Sequence, residues 1–330
     1  MNYKCWIGKE GKFIAEVQKL ISLLNINNNI ALSTEPAPGF DWIVECKEAH
    51  FVESLPSGGS IALRTSGTTG IPKLIWKDFE QIYQNKKGKG SEQDIWLLTY
   101  TPARWAGLSV IIHCMKTNAK LVIPEDLSIN NMLNCIDQVT HISLTPSLFR
   151  KMMIADSDRF QKAPLKQITF GGEYATQKIL DDAKTLFPNA RITHIYATTE
   201  SGDLCSCSDG LEGFPEDKMP RLENGDMWKY ENGRAYFIGR DTEVINVGGA
   251  KTTQTEVENT VNSIPQIKQC RAFPIANQLL GQIVGLEYVG DIDPRSLKLL
   301  LTQKLPKYAV PLQITQVTTI ELTSANKIKR

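Results

Sequence analysis

The chain has 330 residues and a mass of 36.9 kDa, room for one large domain or for two to three smaller ones. Its 37 Lys and Arg balance 36 Asp and Glu at a net charge of +1, which leaves no whole-chain field for nucleic acid or an anionic membrane surface. With 42% hydrophobic and 22% charged residues the composition excludes a disordered chain, and no apolar run reaches the about 18 residues a membrane span needs.

The N-terminal MNYKCWIGKEGKF carries charges where a secretory signal needs an apolar stretch. Seven irregularly spaced cysteines (Cys5, Cys46, Cys114, Cys135, Cys205, Cys207, Cys270) then read as free, buried thiols in a reducing cytoplasm. Residues 12–24 have apolar positions at helical spacing and predict an amphipathic helix. Residues 41–46 and 60–66 predict short strands, bounded by PAPG (37–40) and PSGG (56–59). The lysine-rich stretch 84–94 has no apolar period and predicts a solvated loop. Beyond it, apolar runs at 94–100, 120–125, 141–146, 166–172 and 191–197 alternate with helical patterns at 107–117, 128–138, 147–154 and 175–187. That alternation predicts an α/β sheet with many parallel strands. Residues 222–239 differ: short strands with Asn-Gly turns predict an antiparallel hairpin. From about residue 243 a second α/β pattern begins, with helices at 254–263 and 293–304 and strands at 268–276, 282–289 and 312–317. The polar link Arg240–Glu243 has no hydrophobic period. The expected division is therefore a core at 1–240 and a small α+β domain at 241–330, large enough to hold its own small core.

Thr65-Ser66-Gly67-Thr68-Thr69-Gly70-Ile71-Pro72-Lys73 follows a predicted strand directly. Glycines let backbone N–H groups approach an anion, and hydroxyls and an ammonium add donors around it. A triphosphate tail needs such a set. The segment is not GxxxxGK[ST], because Pro72 separates Gly70 from Lys73 and no hydroxyl follows the lysine. The same composition also makes a plain Gly/Thr-rich turn.

This loop resembles the signature of the adenylate-forming superfamily, which comprises acyl- and aryl-CoA ligases, luciferases and peptide-synthetase adenylation domains. Further segments resemble that family's motifs in order. Phe170-Gly171-Gly172-Glu173 resembles the segment along the adenine, and Tyr196-Ala197-Thr198-Thr199-Glu200 the family's Tyr-Gly-x-Thr-Glu. Gly239-Arg240-Asp241-Thr242-Glu243 through Gly248-Gly249 to Glu256-Val257-Glu258 resembles the hinge and its following loop. Leu305–Pro311 and the run Thr323-Ser324-Ala325-Asn326-Lys327-Ile328-Lys329-Arg330 resemble the last two landmarks, so the likeness covers about residues 58–330.

The resemblance implies two steps: a carboxylate and ATP give acyl-adenylate and pyrophosphate, then a thiol displaces AMP. It implies that residues 65–70 and Lys73 hold phosphates, Glu200 holds Mg²⁺, Thr199 binds the α-phosphate or adenylate, and Tyr196 stacks on adenine. A tyrosine beside Thr-Thr-Glu at a strand end is also an ordinary loop. Lys327 would bridge the carboxylate and the α-phosphate oxygens, although a lysine in a terminal tail is commonly solvated charge. Asp226, within Asn224-Gly225-Asp226, would hold the ribose hydroxyls, or the triplet is simply a hairpin turn. Arg240 would also touch ribose, Asp241 and Thr242 would form the hinge, and Gly248-Gly249 would line a pantetheine tunnel. Trp105 would be an aromatic gate of the acyl pocket, and core packing explains it equally. Arg104 would meet a second substrate carboxylate or be a surface cation. His141–Pro146 would line the pocket floor. His50, His113 and His194 have no second ligand at metal spacing, and Cys205-x-Cys207 is too sparse for zinc.

Ala197, Asn224 and Asn326 depart from the family pattern, and the segment before the loop is short for the family. A more open acyl site, or a second subunit completing it, is the resulting expectation. The reading is an AMP-forming carboxylate ligase using ATP, Mg²⁺ and CoA on a small acyl or aryl acid of the o-succinylbenzoate kind. A carrier-protein phosphopantetheine as acceptor and a degenerate nucleotide-binding scaffold without turnover are the alternatives. A homo-oligomer is left open.

Overall fold

Apolar strands of three to eight residues alternate with amphipathic helices from Ile95 onward, and the chain folds them into a parallel sheet. The computed structural model describes residues 6–7, 30–32, 43–45, 60–65, 73–86, 88–102, 104–220 and 224–321. The helix expected over 12–24, most of the glycine-rich loop (Ser66–Pro72) and Lys327 lie outside the described residues. Two compact units divide the chain, residues 1–172 with 186–204, and residues 173–185 with 205–330.

In the first unit, β1 (Trp6–Ile7) lies at one edge of the main sheet. β2 (Ile30–Leu32), β3 (Ile43–Glu45), β4 (Ser60–Thr65) and β5 (Lys73–Asp78) make a smaller sheet in the order β3-β2-β4-β5, parallel between β2 and β4 and antiparallel elsewhere. A seven-residue helix, α1 (Phe79–Asn85), follows, capped by the Asp78 carboxylate on Gln81 N–H. The main sheet then takes β6 (Ile95–Leu97), β7 (Lys120–Ile123), β8 (His141–Leu144), β9 (Gln167–Phe170), β10 (Arg191–Thr198) and β11 (Gly202–Cys207), in the order β1-β7-β6-β8-β9-β10-β11. Every pairing from β1 to β10 is parallel, as the alternation predicts. The crossover helices within this unit are α2 (Trp105–Thr117), α3 (Ile129–Asn134), α4 (Pro146–Ala155) and α5 (Ser157–Gln161). Ser128, Thr145 and Asp156 cap the last three, with Pro146 at the first position of α4. Leu108, Ile111, Ile112 and Met115 of α2 pack on Trp96, Leu98, Leu121 and Ile123, and the cluster extends to Ile61 and Leu63 of the smaller sheet. Behind the sheet Phe149 meets Phe160 and Phe170 edge to face at 5.5 and 5.4 Å.

Gly107 sets how closely α2 starts against the end of β6. A Cβ there would overlap the Thr101 carbonyl oxygen and lie within 2.7 Å of its carbonyl carbon. Gly107→Ala should therefore cost about 1–3 kcal/mol, read as a lowered urea midpoint with unchanged slope. An unchanged midpoint would mean that the helix start shifts freely.

The second unit contains α6 (Gln177–Leu186) and a three-stranded antiparallel sheet, β12 (Phe214–Pro215), β13 (Asp226–Glu231) and β14 (Arg234–Arg240), in the order β12-β14-β13. Asn232 and Gly233 join β13 to β14 with φ of 51° and 71°, the left-handed pair that an Asn-Gly hairpin turn requires. Next come β15 (Val244–Val247), β16 (Ala250–Thr253), α7 (Gln254–Asn262), β17 (Ile267–Asn277), β18 (Gly281–Gly290), α8 (Pro294–Lys304) and β19 (Gln313–Gln316). Their sheet runs β16-β15-β18-β17, with β19 parallel to β18. Val257, Val261, Leu297 and Leu301 of the helices bury against Ile245, Val284, Leu286 and Tyr288. The link Arg240–Glu243 contains one 3₁₀ turn (Asp241–Glu243) between β14 and β15 and lies inside this unit.

Several elements differ from the sequence reading. α1 occupies the start of the stretch expected to be loop, and Lys86 beside it is 11% exposed rather than solvated. β5 and β11 carry no alternation strong enough to read locally. Among the described residues Cys114, Cys205, Cys207 and Cys270 are buried free thiols and Cys135 is half-buried. No described helix is long and apolar enough to cross a membrane.

Candidate active site

In a parallel sheet the loops after the carboxyl ends of the strands gather on one edge, where ligands bind. Several candidate residues of the first unit lie there. Gly171 and Gly172 follow β9, Tyr196 and Thr198 end β10, and Thr199 and Glu200 form the turn into β11. The loops after β6, β8 and β9 are tied together. Thr99 Oγ1 donates to Ser143 O, Gly171 N to Leu144 O at 3.2 Å, and Tyr100 OH to Gly171 O at 3.0 Å. Gly172 is exposed at φ 78°, a left-handed position that a side chain would strain.

Side chains alternate along β10. Ala197 packs on the core cluster that holds Trp105, so its methyl is accommodated there. Tyr196 and Thr198 belong to the other face. Thr198 Oγ1 accepts Ser201 N–H at 3.0 Å and closes the turn that presents Thr199 and Glu200. Glu200 is exposed, and its main-chain carbonyl accepts Lys77 Nζ at 2.7 Å. Among the described residues no group of three or more His, Cys, Asp and Glu converges. One exposed carboxylate at a strand end suits Mg²⁺, which takes one or two carboxylates, phosphate oxygens and water, and does not suit a caged transition metal.

Trp105 is the first residue of α2, 9% exposed, and its Nε1–H donates to Asp203 Oδ1 at 2.8 Å. Asp203 Oδ2 pairs with Lys86 Nζ at 2.6 Å, and Ser109 Oγ lies 3.5 Å away. Lys86 Nζ also donates to Ser109 Oγ. Burial pushes the Asp203 carboxyl up, but the Lys86 charge and the hydrogen bonds from Lys86, Trp105 and Ser109 outweigh it and hold it below the usual range. Lys77 Nζ stands 5.1 Å from the centroid of the Trp105 ring. Its burial lowers the ammonium, partly offset by Glu200. Arg104, half-buried with an extended backbone, precedes α2, and its N–H donates to Thr101 O at 3.1 Å. Lys77, Lys86, Ser109 and Asp203 were not among the sequence candidates.

The second unit holds Glu173, half-buried ahead of α6, and the ribose candidates. Asp226 and Arg240 are register partners of β13 and β14, and Arg240 Nε donates to Asp226 Oδ1 at 2.8 Å. The Asp226 side chain is 2% exposed and that of Arg240 53%. Asn224 Oδ1 accepts Asp226 N–H and its Nδ2 donates to Asp226 Oδ2, both at 3.2 Å. Asn224-Gly225-Asp226 is thus the entry to β13, with Gly225 at φ 78°. Asp241 and Thr242 sit in the 3₁₀ turn after β14. Gly248 and Gly249 are the two-residue turn between β15 and β16, at φ 61° and 91°, with Gly248 N donating to Leu280 O and Gly249 N to Asn246 Oδ1. Thr65 and Lys73 are register partners across β4 and β5, so residues 66–72 connect an antiparallel pair.

Comparison with known proteins agrees on the lineage. A model of the AMP-binding enzyme family matches residues 56–232. A 2-succinylbenzoate–CoA ligase of Lactococcus lactis is 24% identical over 82% of this chain and 70% of its own. A 3,4-dihydroxybenzoate–[aryl-carrier protein] ligase of Bacillus anthracis is 30% identical over 36% of this chain and 30% of its own. Among solved structures, o-succinylbenzoate CoA synthetase from Bacillus subtilis with its acyl-adenylate superimposes with a TM-score of 0.62 at 19% identity, over 81% of this chain and 67% of that one. ATP-bound MatB from Rhodopseudomonas palustris superimposes with a TM-score of 0.69 at 16% identity, over 81% and 66%. The chain thus spans about two thirds of the length of these structures.

Proposed function

This chain belongs to the AMP-binding enzyme family, and we propose that it activates a small acyl or aryl carboxylic acid with ATP and passes the acyl group to the CoA thiol. It is an AMP-forming acid ligase of the acyl-CoA synthetase kind. The observation that carries this reading is the convergence of Gly171-Gly172 and Tyr196–Glu200 on the carboxyl edge of the parallel sheet. In the first step a carboxylate oxygen bonds to the α-phosphorus as the bond to pyrophosphate breaks. In the second the thiol sulfur bonds to the acyl carbon and AMP leaves.

Each step brings anions together, so the site must supply donors and cations. Residues 65–70 and Lys73 hold the phosphates, and Lys327 enters to bridge the acid and the α-phosphate. Thr199 holds the adenylate phosphate and Tyr196 covers the adenine, with Gly171, Gly172 and Glu173 along its edge. Asp226 accepts from the ribose hydroxyls, and Arg240, already paired to it, orients that carboxylate. Mg²⁺ held by Glu200 would neutralise phosphate charge. Asp241 and Thr242 are the hinge of the segment from 241 onward, Gly248-Gly249 line the pantetheine path, and Arg104 and Trp105 flank the acid.

The test is carboxylate-dependent ATP–pyrophosphate exchange over a panel that includes 2-succinylbenzoate, benzoate and hexanoate, followed by addition of CoA or a carrier protein. Exchange with at least one acid and thioester formation with CoA are expected. Thioester only on the carrier would favour the second acceptor, to which the match with the aryl-carrier protein ligase lends support. No exchange with any acid would leave a nucleotide-binding scaffold.

A further inference from the structure

We propose that Asp203, held by Lys86, is a positioning residue that locks the Trp105 indole in one orientation and through it sets which acids the enzyme accepts. The link to acid selectivity rests on the reading of Trp105 as a wall of the acyl pocket. The lock itself rests on contacts within the first unit.

Trp105 is held on three sides. At its edge, the single indole donor is spent on Asp203 Oδ1 at 2.8 Å. Over its face stands Lys77 Nζ, 5.1 Å from the ring centroid and anchored to Glu200 O at 2.7 Å. Beside it, Gly202 has φ 78°, and a Cβ there would lie 3.0 Å from Trp105 Cζ2, so that position leaves the ring its space only as glycine. A turn of the indole about χ1 or χ2 would break the edge contact and leave the N–H without its carboxylate.

Asp203 holds this post because its charge is matched. Its other oxygen takes Lys86 at 2.6 Å, and Lys86 is 11% exposed beside Ser109, one helical turn along α2 from Trp105. A charge-assisted hydrogen bond is about twice as strong as a neutral one, and the ion pair fixes the direction in which the carboxylate points. Trp105 thereby takes its orientation from an ion pair outside its own helix. The lysine stands at the C-terminal end of α1 and the aspartate at the start of β11, so two elements set one ring.

The experiment reads the ring first and selectivity second. In a ¹⁵N-labelled sample the six tryptophans give indole N–H signals, and Trp105→Phe identifies the one for Trp105. Asp203→Ala should move that signal and raise its solvent exchange about tenfold or more, and Lys86→Met should do so less. Asp203→Asn keeps an acceptor for the indole and should keep the signal near its place. An unmoved Trp105 signal in Asp203→Ala overturns the lock.

In exchange assays with 2-succinylbenzoate and benzoate, Asp203→Ala should raise the acid KM about tenfold, with the KM for ATP unchanged and kcat less affected. In the Trp105→Phe background, which has no edge donor, Asp203→Ala should add nothing to the acid KM. Equal rises in the KM for acid and ATP would overturn the proposal. So would a Trp105→Ala effect on acid KM that Asp203→Ala does not share, an outcome that leaves the pocket reading standing. If Trp105→Ala also leaves acid KM unchanged, the pocket reading fails and the selectivity claim fails with it. If no acid supports exchange in the unsubstituted enzyme, the proposed activity fails, and the indole signal alone decides the lock.

Discussion

Lys327→Ala should lower carboxylate-dependent ATP–pyrophosphate exchange about a hundred- to a thousandfold, the loss that follows removal of one donor aimed at developing charge. It should leave thiolysis of preformed acyl-adenylate within about threefold. The asymmetry follows from where charge accumulates. When the acid attacks the α-phosphorus, two anions share one small volume, and an ammonium between them acts on the transition state more than on either ground state. When the thiol attacks, the leaving group is already a phosphate monoester and needs no cation between acid and phosphate. Single-turnover quench measurements on each half-reaction separate the two. Equal loss in both would overturn the assignment of Lys327 to the first step and, with it, a segment from 241 onward that turns between two arrangements.

The reading of Lys327 rests on Thr-x-Ala-x-Lys-x-x-Arg, a local pattern. The motifs read from the chain share that property. Phe170-Gly171-Gly172 follows one strand end, Tyr196–Glu200 another, and Asn232-Gly233 turns a hairpin, each a short contiguous run. The parallel sheet was legible for the same reason, since strand and helix periods are local. What escaped was pairing at a distance. Lys77 meets Glu200 across 123 positions, Lys86 meets Asp203 across 117, and Trp105 meets Asp203 across 98. A lysine among lysines at 84–94 reads as solvated charge until a carboxylate from a remote strand turn is placed beside it. Asp203 in turn sits in an ordinary Ser-Gly-Asp run. For Asp226, sequence offered a ribose ligand or a turn. The fold makes its triplet the entry to β13 and pairs the carboxylate with Arg240, a cross-strand register that neither local motif contains. Trp105 was divided between gate and core, and its tether to Asp203, 98 positions along the chain, belongs to neither reading.

Acid should cost the first unit about 3 kcal/mol through His113. Burial lowers this imidazole from 6.5 to about 4, with Lys86 and His141 pushing the same way and Asp94 and Asp203 opposing. Trp96 lies edge-on at 5.0 Å, and His113 Nε2 has no hydrogen-bond partner among the described residues. The unfolded chain therefore binds a proton near pH 6.5 that the folded chain refuses until about pH 4. The contribution is fully present above the unfolded value and is lost as pH falls from about 6.5 towards 4, where the drop corresponds to about 3 kcal/mol. His141 is lowered as well, by burial first and Lys166 second, against the pull of Asp94, so it titrates in the same direction. Asp203 does not confuse the measurement at pH about 4.5: its carboxyl is held low, so its contribution fades only below the ordinary carboxylate range. Urea unfolding at pH 7 and at pH about 4.5 should show His113→Gln losing about 2–3 kcal/mol less than the unsubstituted protein between the two conditions. Parallel losses would place the acid sensitivity elsewhere. Lys86 enters both balances: the ammonium that holds Asp203 against Trp105 also resists a proton on His113, so Lys86→Met should narrow the acid penalty while loosening the indole.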